Sequence, residues 1–185
     1  MAANQLTKSI TILLWNANGI LNNINELQIS LIENQVDIAM ISETHLTNNS
    51  AFKIFGYNIL RAYQPDGTTH GGSSLIISNK IAHTPYLPST SLDMQISDTS
   101  LLIGSVPVSI ASAYLPPGRK FPENELLQYL STLNHTFLQG ADFNAKHHCW
   151  DCSTINTRGR SLRILSEQNK PKCMHLVHQL IGLLT

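Results

Sequence analysis

The segment Gly140-Ala-Asp-Phe-Asn-Ala-Lys-His-His-Cys-Trp150 sets Asp142, Asn144, His147 and His148 within eleven positions, just after the apolar pair Phe137-Leu138. Two other apolar runs end in the same way. Ser9–Trp15 leads into Asn16-Ala-Asn-Gly19, and Val36–Ile41 leads into Ser42-Glu43-Thr44-His45. Two carboxylates and two amides converging at strand ends form an oxygen-rich site suited to a hard divalent cation such as Mg²⁺. Such a cation neutralises phosphate charge, while a carboxylate orients or deprotonates an attacking water. An exposed loop has the same composition. Convergence, not composition, is therefore what separates a site from a surface.

A sulfur-based site has less support. Cysteine occurs three times, as Cys149, Cys152 and Cys173. This odd count argues against a disulfide framework and for a reducing compartment. Cys149-Trp-Asp-Cys152 beside His147 and His148 has the form of half a zinc site. The distal candidates are Cys173, His175 and His178, in a tail that reads as irregular, so no zinc site is expected.

The elements that would bring the polar groups together alternate between strand and helix patterns. Ser9–Trp15 is β-branched and apolar, a buried strand. Ile24, Leu27, Leu31 and Ile32 fall on one helical face, with Asn23 as N-cap and Glu26 three residues on. Val36–Ile41, Tyr57–Arg61, Ser73–Ser78, Leu92–Ile96, Leu101–Gly104 and Val106–Tyr114 read as further strands, punctuated by Gly71-Gly72, Gly104-Ser105 and Pro116-Pro117-Gly118. Pro122 opens a helix with Leu126, Leu127, Leu130 and Leu133 on one face. A last helix, carrying Leu162 and Leu165, starts near Gly159. Mixed βαβ units and hairpins indicate an α/β sandwich of mixed sheets.

With 185 residues, 42% hydrophobic and 13% charged, the chain is a globular single domain rather than a disordered one. Lys plus Arg and Asp plus Glu balance at 12 each. Half of the basic residues but only a quarter of the acidic ones lie after residue 139, a bias toward a phosphate-bearing partner. The start lacks the apolar run of a signal peptide, and no stretch reaches the length of a membrane span.

Five motifs occur in order: Trp15-Asn-Ala-Asn-Gly19, Ser42-Glu-Thr-His-Leu46, Gly71-Gly72 before a strand, Ser112-Ala-Tyr-Leu-Pro-Pro117 and Asp142-Phe-Asn-Ala-Lys-His147. Together they resemble the endonuclease/exonuclease/phosphatase superfamily. Within it, their wording and the later Arg158-Gly-Arg160 resemble the endonuclease domain of non-LTR (LINE-type, jockey-like) retrotransposons. The resemblance implies a DNase I-like sandwich of two mixed β-sheets flanked by helices, over residues 9–170, between an N-terminal tail (1–8) and a divergent tail (171–185). It implies Mg²⁺- or Mn²⁺-dependent nicking of double-stranded DNA that leaves a 3′-hydroxyl. Glu43 would be the principal metal ligand, assisted by Asn16 and Asp142. Asp142 would activate water, and Asn144 and Tyr114 would contact the scissile phosphate. Asn18, His147, Arg158 and Arg160 are the candidate nucleic-acid contacts. For Arg158 and Arg160 the other reading is a solvated helix end, for His45 a loop histidine, and for Trp150 packing, while His148 would flank the DNA groove beside His147. The implied location is intracellular, nuclear if the ancestral function persists, with no membrane and no obligate protein partner.

Two departures accompany the resemblance. Gly140-Ala141 stands where the family has Gly-Gly, and after Lys170 the family's further strands, aspartate and Ser-Asp-His motif have no counterpart. The sequence therefore reads as a domain incomplete at its C-terminus, with an uncovered sheet edge, no polymerase domain and weak or absent activity. The alternatives are a non-catalytic remnant or a phosphatase of the same superfamily.

Overall fold

The computed structural model describes residues 10–85 and 88–168, together with the backbone of two strands at 173–178 and 182–184. The expected tail at 1–8 lies outside the described residues, as do the side chains of Cys173, His175 and His178.

Two mixed sheets stack face to face. The first contains β1 (Ile12–Asn16), β2 (Ile38–Ser42), β3 (Tyr57–Ala62) and β4 (Ser73–Ser78). The second contains β5 (His83–Pro85), β7 (Gln95–Ile103), β8 (Val106–Tyr114) and β9 (Thr136–Asp142), with β6 (Ser89–Thr90) paired to β7. Among the described residues three α-helices accompany them: α1 (Ile24–Glu33), α2 (Glu123–Thr132) and α3 (Thr157–Gln168). β1 and β2 run parallel, as do β8 and β9, so both parallel pairs present their C-terminal ends side by side.

The tail is corrected from irregular to extended. β10 (Cys173–His178) runs parallel to β9, and β11 (Gly182–Leu184) pairs antiparallel with β1. A sheet edge was expected to be uncovered there; instead β9 and β1 each have a strand alongside.

Inward-facing residues change character along each strand. At one end Ile12, Leu14, Ile38, Met40, Leu75, Ile77, Val108 and Ile110 form the apolar filling between the sheets. Towards the other end the inward positions become small and polar. Ser112 Oγ donates to Ile41 O at 3.0 Å, and Ser97 Oγ donates to Ser73 O at 3.0 Å. The sheets approach closely here: a Cβ at Gly140 would lie 2.2 Å from Leu14 Cδ2 and 2.5 Å from Met40 Sδ. The two outer faces are covered separately. Leu27 and Leu31 of α1 pack on Ala39 and Ile41, while Leu126, Leu130, Leu162 and Leu165 of α2 and α3 pack on Ile96, Ala111, Ala113 and Phe137.

Several local expectations are corrected. Ile32 is 74% exposed rather than on the buried face of α1. Asn23 makes no side-chain cap; its Nδ2 donates instead to Ala17 O and Gly19 O, tying down the preceding turn. Leu92–Ile96 and Leu101–Gly104 are not separate strands but largely one, β7, because the polar run between them is buried and partnered. Pro122 is the N-cap of α2 rather than a residue of its first turn.

Candidate active site

The polar strand ends meet, but across the sandwich rather than within one sheet. Asn16 and Glu43 come from the ends of β1 and β2; Tyr114 and Asp142 come from β8 and β9. Asn16 and Ser42 are register partners in the first sheet, and Tyr114 and Asp142 in the second. Asn16 Nδ2 donates to Asp142 Oδ2 at 2.8 Å, a bond joining the two sheets. Asp142 is 5% exposed, and its other oxygen accepts from the Asn144 backbone N–H at 3.0 Å.

The loops that carry these groups extend the strand ladder. Ala17, Gly19 and Ile20 donate their N–H groups to Ser42 O, Glu43 O and Thr44 O, and Thr44 and His45 donate to Gly72 O and Gly71 O. Gly71 is required by space as well as by its φ of 69°, since a Cβ there would meet the Tyr114 ring at 2.7 Å. Glu43 (φ 52°) and Asn144 (φ 50°) hold left-handed backbone without being glycine. Such strain persists only where surrounding structure imposes it, and it concentrates at functional sites.

Tyr114 is buried with its hydroxyl against Glu43. Burial, then the charges of Glu43 and Asp142, push its phenol well above its ordinary range, so it remains a hydrogen-bond donor at neutral pH. Asn144 Nδ2 donates to Leu115 O at 3.1 Å.

Of the expected nucleic-acid contacts, Asn18 is exposed, and its backbone N–H donates to Asn16 Oδ1 at 3.1 Å. His147 is half-buried; its Nδ1 accepts from Cys149 N at 3.1 Å and its ring lies edge-on to Trp150, 5.6 Å between centroids. Trp150 packs on the core between α2, α3 and their sheet. His45 faces His70 in a T-shaped pair at 6.3 Å. His148 Nδ1 bonds Cys152 O within its own loop. Arg160 is exposed.

Arg158 is a correction. It is neither an outward phosphate contact nor a solvated helix end: it is 8% exposed, and its guanidinium donates to the carbonyls of Leu115, Phe143, Pro116 and Arg119 at 2.6–3.2 Å. The loop after β8 contains Pro116 and Pro117, and its carbonyls have no ladder to join, so a buried fork of donors satisfies them.

Asn156 escaped the sequence reading. Its Oδ1 accepts from Gly159 N, capping α3, and from Lys146 N, while its Nδ2 donates to Asn144 O. The spacing Asn156-Thr-Arg-Gly159 was the available signal, an Asn followed three residues later by the amide it caps.

The donors fit a hard cation. Glu43 supplies a half-exposed carboxylate, Asn16 an amide oxygen, and Asp142 a second carboxylate whose oxygens each accept a single bond. Mg²⁺ takes one or two carboxylates and keeps several waters or phosphate oxygens. Among the described residues no three His, Cys, Asp or Glu side chains gather into an all-protein cage.

Comparison with known proteins places this arrangement. A family described as endonuclease-reverse transcriptase matches residues 108–181. The RNA-directed DNA polymerase from mobile element jockey of Drosophila melanogaster is 32% identical over 150 residues, covering 81% of this chain. The probable RNA-directed DNA polymerase from transposon X-element of the same fly is 29% identical over 154 residues, 83% of this chain. The chain spans about a sixth of the length of these relatives, 16% and 17%. The endonuclease domain of TRAS1, a telomere-specific non-LTR retrotransposon, superposes with a TM-score of 0.70 at 17% identity, over 86% of this chain and 72% of that one. The chain thus carries a match to the endonuclease-reverse transcriptase family and has the fold of the endonuclease/exonuclease/phosphatase superfamily. An AP endonuclease of Leishmania major shares the fold, with a TM-score of 0.66 at 13% identity, over 86% of this chain and 66% of that one. The architecture is thus the DNase I-like sandwich of a non-LTR retrotransposon endonuclease, and no helix among the described residues is long and apolar enough to cross a membrane.

Proposed function

We propose that this chain hydrolyses a phosphodiester bond in double-stranded DNA with the help of Mg²⁺ or Mn²⁺. The observation that carries this reading is the Asn16–Asp142 bond across the sandwich, with Glu43 and Tyr114 beside it. It makes one constellation from four sequence-distant residues.

Glu43 and Asn16, with Asp142 beside them, would hold the cation, which supplies charge neutralisation at the phosphate when bound. Asp142 is fixed by its two hydrogen bonds and orients and deprotonates the attacking water. Asn144 Nδ2 has a second hydrogen to offer a phosphate oxygen while the first stays on Leu115 O. Tyr114, whose phenol is held neutral by burial and the nearby charges of Glu43 and Asp142, would offer its hydroxyl to the same phosphate. Exposed Asn18 and Arg160 and half-buried His147 are the proposed contacts to the flanking backbone. No Ser-Asp-His occurs in these 185 residues; assayed by themselves they would lack that transition-state partner, whose removal lowers a rate by a factor of about 10²–10³.

Nicking of supercoiled plasmid in Mg²⁺ tests the reading. The wild-type chain should relax plasmid slowly, and Glu43→Ala or Asp142→Ala should abolish it. Nicking that survives either substitution, or a wild-type chain inert at high enzyme concentration, would overturn it.

A further inference from the structure

We propose that Arg158 is a positioning residue for this site: its buried guanidinium locks the end of β8, which carries Tyr114, to the loop that carries Asn144. The proposal rests on the hydrolytic reading above and adds a residue that acts through others.

The bonds converge on Leu115. Its carbonyl accepts from both Arg158 Nη1 and Asn144 Nδ2, at 3.1 Å each, and its N–H donates to Asp142 O at 3.0 Å. Arg158 Nη1 also reaches Phe143 O at 3.2 Å, one residue from Asp142 and one from Asn144. Nη2 reaches Pro116 O at 2.6 Å and Arg119 O at 2.7 Å, closing the loop that leaves Tyr114. One planar group thus spans both chain segments that present phosphate-facing side chains.

The base of the fork is equally constrained. Arg158 lies in the first turn of α3, and that turn is wedged against the loop after β9: a Cβ at Gly159 would stand 1.9 Å from Lys146 O. Asn156 caps the same turn and holds Asn144 O. The guanidinium therefore enters from a fixed anchor and cannot follow the loops if they drift. It also sets a buried positive charge near Asp142 and Tyr114, opposing the repulsion between the site's own anions. Lysine cannot replace it, because a single ammonium has no planar fork to bridge four carbonyls.

An outward phosphate contact and a positioning role give different signatures. Loss of a backbone contact weakens DNA binding and lowers its salt dependence. Loss of positioning lowers kcat, because a misplacement of about 1 Å costs on the order of a hundredfold in rate.

The test uses the full chain as wild type, Arg158→Lys and Arg158→Met. In Mg²⁺-dependent plasmid nicking, Arg158→Lys should lower kcat about a hundredfold with KM for DNA within about twofold. In NMR spectra, the Asn144 side-chain amide should shift in both variants while the remaining fold is retained. In wild type the Arg158 Nη hydrogens should exchange slowly with water. Raised KM at unchanged kcat, an unmoved Asn144 amide in folded Arg158→Lys, or freely exchanging wild-type Nη hydrogens would each overturn the proposal. If wild type fails to nick, the hydrolytic reading falls, and the two NMR measurements still decide whether Arg158 locks the loops. If neither variant folds, the wild-type exchange measurement decides alone.

Discussion

Each oxygen of Asp142 accepts a hydrogen bond, from the Asn16 side chain and from the Asn144 backbone. Asp142→Asn would face one of those donors with an NH₂ group. The mismatch should lower stability by about 1–3 kcal/mol, the cost of a buried polar group left unpartnered. It should also reduce nicking at least about a hundredfold, read as the rate of plasmid relaxation beside a thermal melt. Unchanged values in both measurements would contradict the bonding described. The placement of Asn16, Glu43, Asp142 and Asn144 at or just past strand ends was legible because polar groups closing apolar strands are conspicuous. The direction of Arg158 was not. A sequence marks the start of a helix, but three of the four carbonyls its side chain will meet lie 39 to 43 positions earlier, on a loop whose path local pattern does not specify.

The decisive joint between elements is α3 against the loop after β9. Gly159 touches Lys146 so closely that an added methyl would collide with backbone atoms, which cannot rotate away. Gly159→Ala should therefore destabilise by about 1–3 kcal/mol, although alanine is the better helix former, and urea melts would measure the loss. A gain in stability would mean the two elements do not meet as described. Most strands were legible from their apolar runs. The error over β7 has a clear origin in Ser97-Asp-Thr-Ser100, which looks like a break. In the fold Ser97 bonds Ser73, Thr99 bonds Thr84 O at 2.7 Å and Asp98 accepts from Tyr129 at 2.9 Å. Tertiary partners supply what the local sequence withholds. Ile32 fails in the opposite way: its helical spacing fits the apolar face, yet it stays 74% exposed.

At the scale of the molecule, Asp98 ties stability to pH. Burial raises its carboxyl above the usual carboxylate range, and the Tyr129 hydroxyl offsets this only in part. The folded state thus binds this proton more tightly than the unfolded state does. The resulting stabilisation is full below the ordinary carboxylate pKa and is lost as pH rises through the folded one. Asp98→Asn should melt higher than wild type at pH 7, and the gap should narrow as pH falls to about 4. A gap that stays constant would sink the assignment. The sandwich of mixed sheets was legible from the mixture of βαβ units and hairpins. That the convergence crosses from one sheet to the other was not legible, since local periodicity is silent on which sheets stack. This division largely follows the order of the chain: β1 to β4 build one sheet, β5 to β10 build the second, and β11 returns to the edge of the first. During synthesis, Asn16 and Glu43 leave the ribosome well before the strands they face. Until Asp142 has emerged and the later sheet has docked, the bond between Asn16 and Asp142 cannot form.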